Sequence, residues 1–258
     1  MTPLCWEGWL TCFQAKGYSC LAPAWPGRDR PVQTLRENPL DSQIGDLTLG
    51  DVIRHLTGIL EKMDPKPILV GHSMGGLIVQ LLISRGLGVA GIAIDSAPPR
   101  GVFSASWPFL KSNWPHINPF IPKKEPVRMS FKRFQYAFAN TMTLQEQRDA
   151  FETHIVPESR RIPAESLTST ASINFKKSGP PLLLIAGGED HIIPASLNRR
   201  NYLKYRRAHS VTDFKEFAGR SHFIIGQNKW EEVADYVHTW LTDKAQVPPA
   251  GQKTFNQS

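Results

Sequence analysis

Three uninterrupted apolar runs, at residues 68–70, 89–94 and 182–185, each lie between segments whose apolar residues recur at helical spacing. A strand that is apolar on both faces has to be covered on both faces. Alternation of such strands with amphipathic helices is the pattern of strands crossing back over helices. The expected fold is therefore α/β, a mostly parallel sheet with helices on both faces.

Around these runs the remaining elements can be read in order. Residues 4–16 form a helix with Trp6, Trp9, Leu10 and Phe13 on one face, stopped at Gly17. Residues 18–22 read as a short strand, ended by Pro23 and Pro26. Residues 49–63 form a helix behind a capping box made by Thr48 and Asp51, and residues 74–83 a helix with a Gly-rich start. Later come a helix over 195–205, a strand over 214–217 and a helix over 230–241, capped by Asn228 with Glu231.

Between 98 and 167 the alternation stops. Prolines crowd residues 98–126 among Phe103, Trp107, Phe109 and Trp114. Two helices follow, at 131–139 and at 144–154, the second behind Thr143 and Glu146 as a capping box. A short insertion after which the α/β pattern resumes reads as a helical lid on a single domain. The expected organisation is a core of residues 1–97 and 168–245, a lid of 98–167, and a polar tail of 246–258 without fixed structure.

Composition fits one domain of this kind: 258 residues, 41% hydrophobic and 21% charged. The net charge of +7 comes from short clusters, at Lys123–Lys124, Lys176–Lys177, Arg199–Arg200 and residues 204–207. They lack interleaved aromatic platforms, so they read as solvated surface, with no nucleic-acid partner. No run is long enough to cross a bilayer, and the N-terminus has no basic start or apolar stretch of a signal peptide. Cys5, Cys12 and Cys20 match no zinc or disulfide pattern and read as reduced thiols, which places the chain in the cytoplasm.

The strongest chemical signal is Gly71-His72-Ser73-Met74-Gly75-Gly76, set between an apolar strand and a helix. That is the context the Gly-x-Ser-x-Gly pattern requires. A serine on a sharp strained turn needs neighbours without side chains, so that the backbone packs closely and Oγ stands clear. The helix that follows points free N–H groups at the turn, and the Met74 N–H is placed to stabilise an oxyanion. A serine hydroxyl also needs a histidine base, and the histidine an orienting carboxylate. Asp190, in Gly-Gly-Glu-Asp-His after the strand at 182–185, and His222, in Gly-Arg-Ser-His-Phe after the strand at 214–217, supply them in the order Ser, Asp, His.

Each position has rivals. Asp95 also ends a strand and could supply the acid, although Asp190 leads because the acid must come from a strand-end loop that reaches His222. Glu189 and His191 read as solvent-facing loop residues, His72 as a packed residue of the turn, and His116, His154 and His209 as structural or exposed. Trp107, Phe134 and Phe138 are the expected wall of an apolar substrate pocket, though packing of the lid would use them equally well. Neither paired metal-ligand spacing nor a phosphate-binding loop is present, so no metal and no cofactor is expected.

With Leu-Ala-Pro-Ala-Trp-Pro-Gly at 21–27, Gly-His-Ser-Met-Gly-Gly at 71–76, Gly-Gly-Glu-Asp-His at 187–191 and Ser221-His222, the chain resembles the α/β-hydrolase superfamily over most of residues 4–242. The likeness is to cap-bearing serine hydrolases of the esterase, lipase-like and haloperoxidase-like branch. It implies hydrolysis of an ester, lactone or thioester of a small apolar substrate through an acyl-enzyme. Two alternatives are a catalytically impaired binding protein of this fold and a biosynthetic accessory enzyme using the same pocket. Members of the superfamily begin with strands leading into a His-Gly loop, source of a second oxyanion donor. Here Met1 stands just before the helix that follows that loop, so the sheet is expected to be N-terminally shortened. In the family the strand in question lies between those at 18–22 and 68–70. A sequence that is part of a longer one, direct pairing of those two strands, and lost catalysis are the three open accounts.

Overall fold

The structure is a computed structural model, and it describes residues 1–38, 41–103, 111, 125–207 and 210–249. Among the described residues four strands form one sheet: β1 (Ile68–His72), β2 (Ala90–Ile94), β3 (Leu182–Gly187) and β4 (Thr212–Phe217). Their order is β1-β2-β3-β4, and every pair is parallel. The register sets His72 beside Ile94, Ile94 beside Ile185 and Gly187 beside Phe217. Four parallel strands in this register deliver their following loops to a single edge of the sheet.

Helices cover both faces, as the doubly apolar strands require. Along β2, Ile92 and Ile94 face a core built with Trp9 and Phe13 of α1 (Glu7–Ala15) and with α10 (Glu231–Asp243). Ala93 points to the other side. There α4 (Leu49–Leu60) and α5 (Met74–Ser84) pack Leu49, Val52, Ile53, Leu77 and Leu81 into a second core. Gly91 permits the close approach of α5, since a Cβ there would lie 2.8 Å from Cγ1 of Ile83. The capping box at Thr48 and Asp51 forms as read: Oγ1 of Thr48 accepts from the Asp51 N–H at 3.0 Å and Asp51 Oδ2 accepts from the Thr48 N–H at 3.0 Å.

Between β2 and β3 the described chain forms α6 (Phe131–Ala137), α7 (Leu144–His154) and a short α8 (Arg161–Glu165). The capping box at Thr143 and Glu146 is present. The helix α9 (Ala195–Lys204) joins β3 to β4, and the short helices α2 (Val32–Glu37) and α3 (Ser42–Gly45) precede α4. Their few residues, and those of α8, carry too little periodicity to be read from sequence. No described helix is long and apolar enough to cross a membrane.

Two expectations are corrected. Residues 18–22 run outside the sheet, and among the described residues β1 pairs with β2 alone, so the two segments do not pair directly. Tyr18 packs its ring on Phe13 at 5.5 Å and its hydroxyl meets Nδ1 of His238 at 3.3 Å, while Pro23 and Pro26 have no N–H to give a ladder. These local contacts hold the segment on α1 and α10. The last helix is not capped by Asn228: its N-cap is Trp230 with no side-chain bond, and the Asn228 carbonyl accepts from Arg220 instead.

Among the described residues the sheet order makes β2 internal and β1 an edge. Ile92 is fully buried, whereas Val70 is 37% exposed. Ile92→Ala should lower unfolding free energy by about 2–5 kcal/mol, and Val70→Thr by no more than about 0.5 kcal/mol. Urea unfolding followed by circular dichroism checks both; equal losses would contradict the edge position of β1.

Candidate active site

Ser73 joins β1 to α5 at φ 56° and ψ −119°, a positive φ that non-glycine residues rarely adopt. Neighbours over-determine this conformation. The Ser73 N–H donates to the Ile94 carbonyl at 2.9 Å, and the Ser73 carbonyl accepts from the N–H groups of Ala97 at 2.9 Å and Gly76 at 3.0 Å. The glycines of the motif divide into two kinds. A Cβ on Gly71 would stand 2.3 Å from the Gly75 carbonyl oxygen, and one on Gly76 would stand 2.8 Å from Cβ of Ser96. A Cβ on Gly75 would meet nothing within 4 Å. Packing therefore requires Gly71 and Gly76 but not Gly75. Met74 opens α5, so its N–H is among the first-turn donors that have no intrahelical acceptor.

Asp190 and His222 come from the loops after β3 and β4. The two loops are tied together: Gly188 N–H donates to the Phe217 carbonyl and Glu189 N–H to the Arg220 carbonyl, both at 2.9 Å. Gly187 sits so close to the second loop that a Cβ there would lie 2.6 Å from the Arg220 oxygen. Oδ1 of Asp190 accepts from the N–H groups of Ile192 at 2.7 Å and Ile193 at 2.9 Å. Its Oδ2 lies 2.6 Å from Nδ1 of His222, and Nε2 of His222 lies 3.0 Å from Oγ of Ser73. Both Asp190 and His222 are buried. A carboxylate can only accept, so Nδ1 carries the proton and Nε2 presents its lone pair to the serine hydroxyl.

The imidazole is held from its other sides as well. Nε2 of His72 is 2.7 Å from the His222 carbonyl oxygen, which makes His72 an Nε2–H donor to the backbone of residue 222. Burial, with His222 close by, pushes His72 well below the usual histidine range, so it stays uncharged. The Phe223 N–H donates to the Phe138 carbonyl at 2.9 Å. The Phe138 ring stands edge-on to the His222 ring with centroids 4.7 Å apart. Neither strut is visible in the sequence, although the placing of His72 directly before Ser73 is a signal that it belongs to the turn.

The remaining predicted residues fall as follows. Phe138 lines a cavity of about 70 Å³ together with Met1, Val127, Met129 and Ile155. Phe134, expected in the pocket wall, is fully buried one layer behind, stacked on Phe138 at 5.3 Å and packed on Phe151 at 5.5 Å. Trp107 lies outside the described residues, as do Phe109, Trp114, His116 and His209. His191 is half-buried, with Nδ1 2.8 Å from the Tyr136 carbonyl, and does not simply face solvent; Glu189 is exposed. His154 is held by burial at about 4 and packs near Phe223.

Asp95, the rival acid, is also at this edge. It ends β2 at φ 42°, is fully buried, and its Oδ1 accepts from the Gly187 N–H at 2.7 Å. Burial and the Asp190 carboxylate push it well above the usual carboxylate range. Ligand-type atoms of His72, Asp95 and His222 lie within 4.8 Å of one another. Both ring nitrogens of His222 are engaged by Asp190 and Ser73, so a cation could take that histidine only by breaking one of those contacts.

The alpha/beta hydrolase family model matches residues 1–236. Among solved structures the chain is similar to a methylesterase from Arabidopsis, at 15% identity and TM-score 0.65, with 93% of this chain and 94% of that one covered. It is also similar to a pyrethroid hydrolase from Sphingobium faniae, at 16% identity and TM-score 0.64, covering 95% and 94%. A monoacylglycerol lipase from Paleococcus ferrophilus gives 18% identity and TM-score 0.62, covering 92% and 88%. At these identities the likeness speaks for the fold. No curated protein sequence matches the chain.

The glycine geometry sets a contrast. Gly71→Ala should cost about 2–3 kcal/mol because its methyl meets backbone that cannot move aside. Gly75→Ala, a helical site with open space, should leave stability within about 1 kcal/mol of wild type. Thermal unfolding of the two variants decides it, and similar melting temperatures would contradict this packing of the turn.

Proposed function

We propose, from the premise that this chain belongs to the alpha/beta hydrolase family, that it is a serine hydrolase acting on an ester, lactone or thioester of a small apolar substrate. The observation that carries the reading is the unbroken line from Asp190 through His222 to Ser73, with contacts of 2.6 and 3.0 Å. In this reading Oγ of Ser73 attacks the substrate carbonyl carbon as Nε2 of His222 takes the hydroxyl proton. Asp190, already accepting from Nδ1–H, stabilises the imidazolium that forms. The Met74 N–H donates to the oxyanion of the tetrahedral intermediate. His222 then protonates the leaving alkoxide or thiolate, leaving the acyl group on Ser73. The same imidazole removes a proton from water, which attacks the acyl carbon and restores the serine. Every proton in this cycle moves between Ser73, His222, water and the substrate, so the reaction asks for no cofactor.

The substrate class rests on the wall beside the imidazole. Phe138, whose ring stands against His222, is the apolar surface offered to an acyl or alcohol group; on its far side Met1, Val127, Met129 and Ile155 line the small cavity together with Arg133 and Glu158. In this reading the described helices α6 and α7, on either side of Phe138 and the chain that follows it, serve as the lid over this wall. The names of the similar structures, a methylesterase, a lipase and a pyrethroid hydrolase, support hydrolysis as the chemistry. The free thiols of Cys5, Cys12 and Cys20 support a reducing compartment, the cytoplasm.

Hydrolysis of p-nitrophenyl acetate, butyrate and octanoate by folded wild type should show a burst of p-nitrophenol, with kcat/KM greater for the shorter chains. Ser73→Ala should lower kcat/KM by at least about 10⁴-fold. Turnover that survives Ser73→Ala, or a wild type inert to all three esters, would overturn the reading.

A further inference from the structure

The opposite edge of the sheet, where β3 and β4 begin, holds a second cavity that the cycle above does not use. It measures about 250 Å³ and lies between the last turn of α5, the segment before β3 and the start of β4. Its floor is apolar, made by the buried Ile83 and Leu182 with the half-buried Ile173 beside them. The rim is polar and includes Ser84, Lys177 and Ser210. From Ser73 to Ser84 is the length of α5, roughly 16 Å at a helical rise of 1.5 Å per residue, so this hollow is separate from the catalytic edge.

Its walls are fixed by hydrogen bonds among themselves. Tyr205 donates its hydroxyl to Oε1 of Gln80 at 3.0 Å, and its ring stands edge-on to Phe175 with centroids 4.9 Å apart. Gln80, buried on α5, also accepts from Nδ2 of Asn201 at 3.0 Å and donates to Oγ of Ser96 at 2.7 Å. What the rim has to spare are donors. Oγ of Ser210 accepts from the Gly179 N–H at 2.7 Å, which leaves its own O–H to give. The Lys177 ammonium has no bonding partner among the described residues. No carboxylate lines the cavity. Asp213, next in the chain to the lining residue Thr212, points to the other face of the sheet, where it accepts from Nε1 of Trp240 at 2.7 Å. Arg85, Lys176, Lys204 and Arg206 stand exposed beside lining residues, and none of them forms an ion pair among the described residues. A cation would meet uncompensated positive charge here, whereas an anion finds donors and a favourable field.

We propose that this cavity is a second binding site, for a short aliphatic carboxylate. The carboxylate oxygens accept from Lys177 Nζ and Ser210 Oγ at the rim, and the chain lies on Ile83, Ile173 and Leu182. Hydrogen bonds to an ionised acceptor are stronger than neutral ones, and each methylene buried on the floor strengthens binding about fourfold. The site stands without the hydrolase reading, because no residue of the catalytic edge takes part in it.

The test is a titration of hexanoate into the full chain, followed by the amide resonances in nuclear magnetic resonance spectra. Those of Ser84, Ile173, Lys177 and Ser210 should move together along one binding curve. Hexanoate should bind at least about tenfold more tightly than acetate, which lacks its methylenes. Hexanol and hexylammonium should leave these resonances in place. Lys177→Gln should weaken hexanoate about three- to tenfold, and Ile173→Trp, which fills the hollow, should abolish the shifts. Lys132→Gln, which removes the same charge from α6, should change binding by less than about twofold. Melting temperatures check that each variant is folded; if Ile173→Trp does not fold, the exposed position 177 carries the test. Shifts confined to Ser73, Phe138 and His222, binding of hexanol equal to that of hexanoate, or hexanoate binding unchanged in Lys177→Gln would overturn the proposal.

Discussion

The parallel register is what the rest of the site depends on. Because β1 to β4 run the same way, the segments after His72, Ile94, Gly187 and Phe217 leave the sheet at one edge. Residues separated by more than a hundred positions in the chain are thereby carried to hydrogen-bond distance. Antiparallel pairing of any neighbouring two would send one of these loops to the opposite end. The apolar cores on the two faces hold this register, since a slip of one residue would turn Ile92 and Ile94 away from Trp9 and Phe13 and toward α5.

At that edge the fold keeps several polar groups out of water, and hydrogen bonds are what make this tolerable. Asp190 is satisfied by two backbone donors and His222, and His222 by Asp190 and Ser73. The loop that carries His222 is fixed in turn by His72, by the Phe138 carbonyl and by the packing of Gly187 against Arg220. The imidazole is thus oriented before any substrate arrives, which is how an electrostatically preorganised site lowers a barrier without reorganisation during the reaction. Asp95 differs: its Oδ1 accepts from Gly187, while its Oδ2 has no hydrogen-bond partner among the described residues.

Much of this was legible in the sequence because the signals are local. An apolar strand followed by a glycine-rich turn, and an acid or a histidine just past a later strand, can be read without knowing any contact. Residues 18–22 read wrongly because Tyr18 and its neighbours have strand composition, while pairing depends on a partner that composition does not reveal. Phe134 and Phe138 are four apart on one helix face, so spacing treats them alike; packing alone sets Phe138 against the imidazole and Phe134 behind it. The sequence could offer Asp95 and Asp190 only as rivals. That Asp190 bonds the histidine while Asp95 bonds the Gly187 N–H is a property of the folded edge.

The central claim is that Ser73 is made nucleophilic by His222 and Asp190. Reaction of the folded chain with a fluorophosphonate, read by intact mass and peptide mapping, tests it most directly. The account predicts one adduct, on Ser73, absent in Ser73→Ala and formed far more slowly in His222→Ala. A folded wild type that takes up no reagent, or equal labelling when Ser73 is replaced, would contradict it.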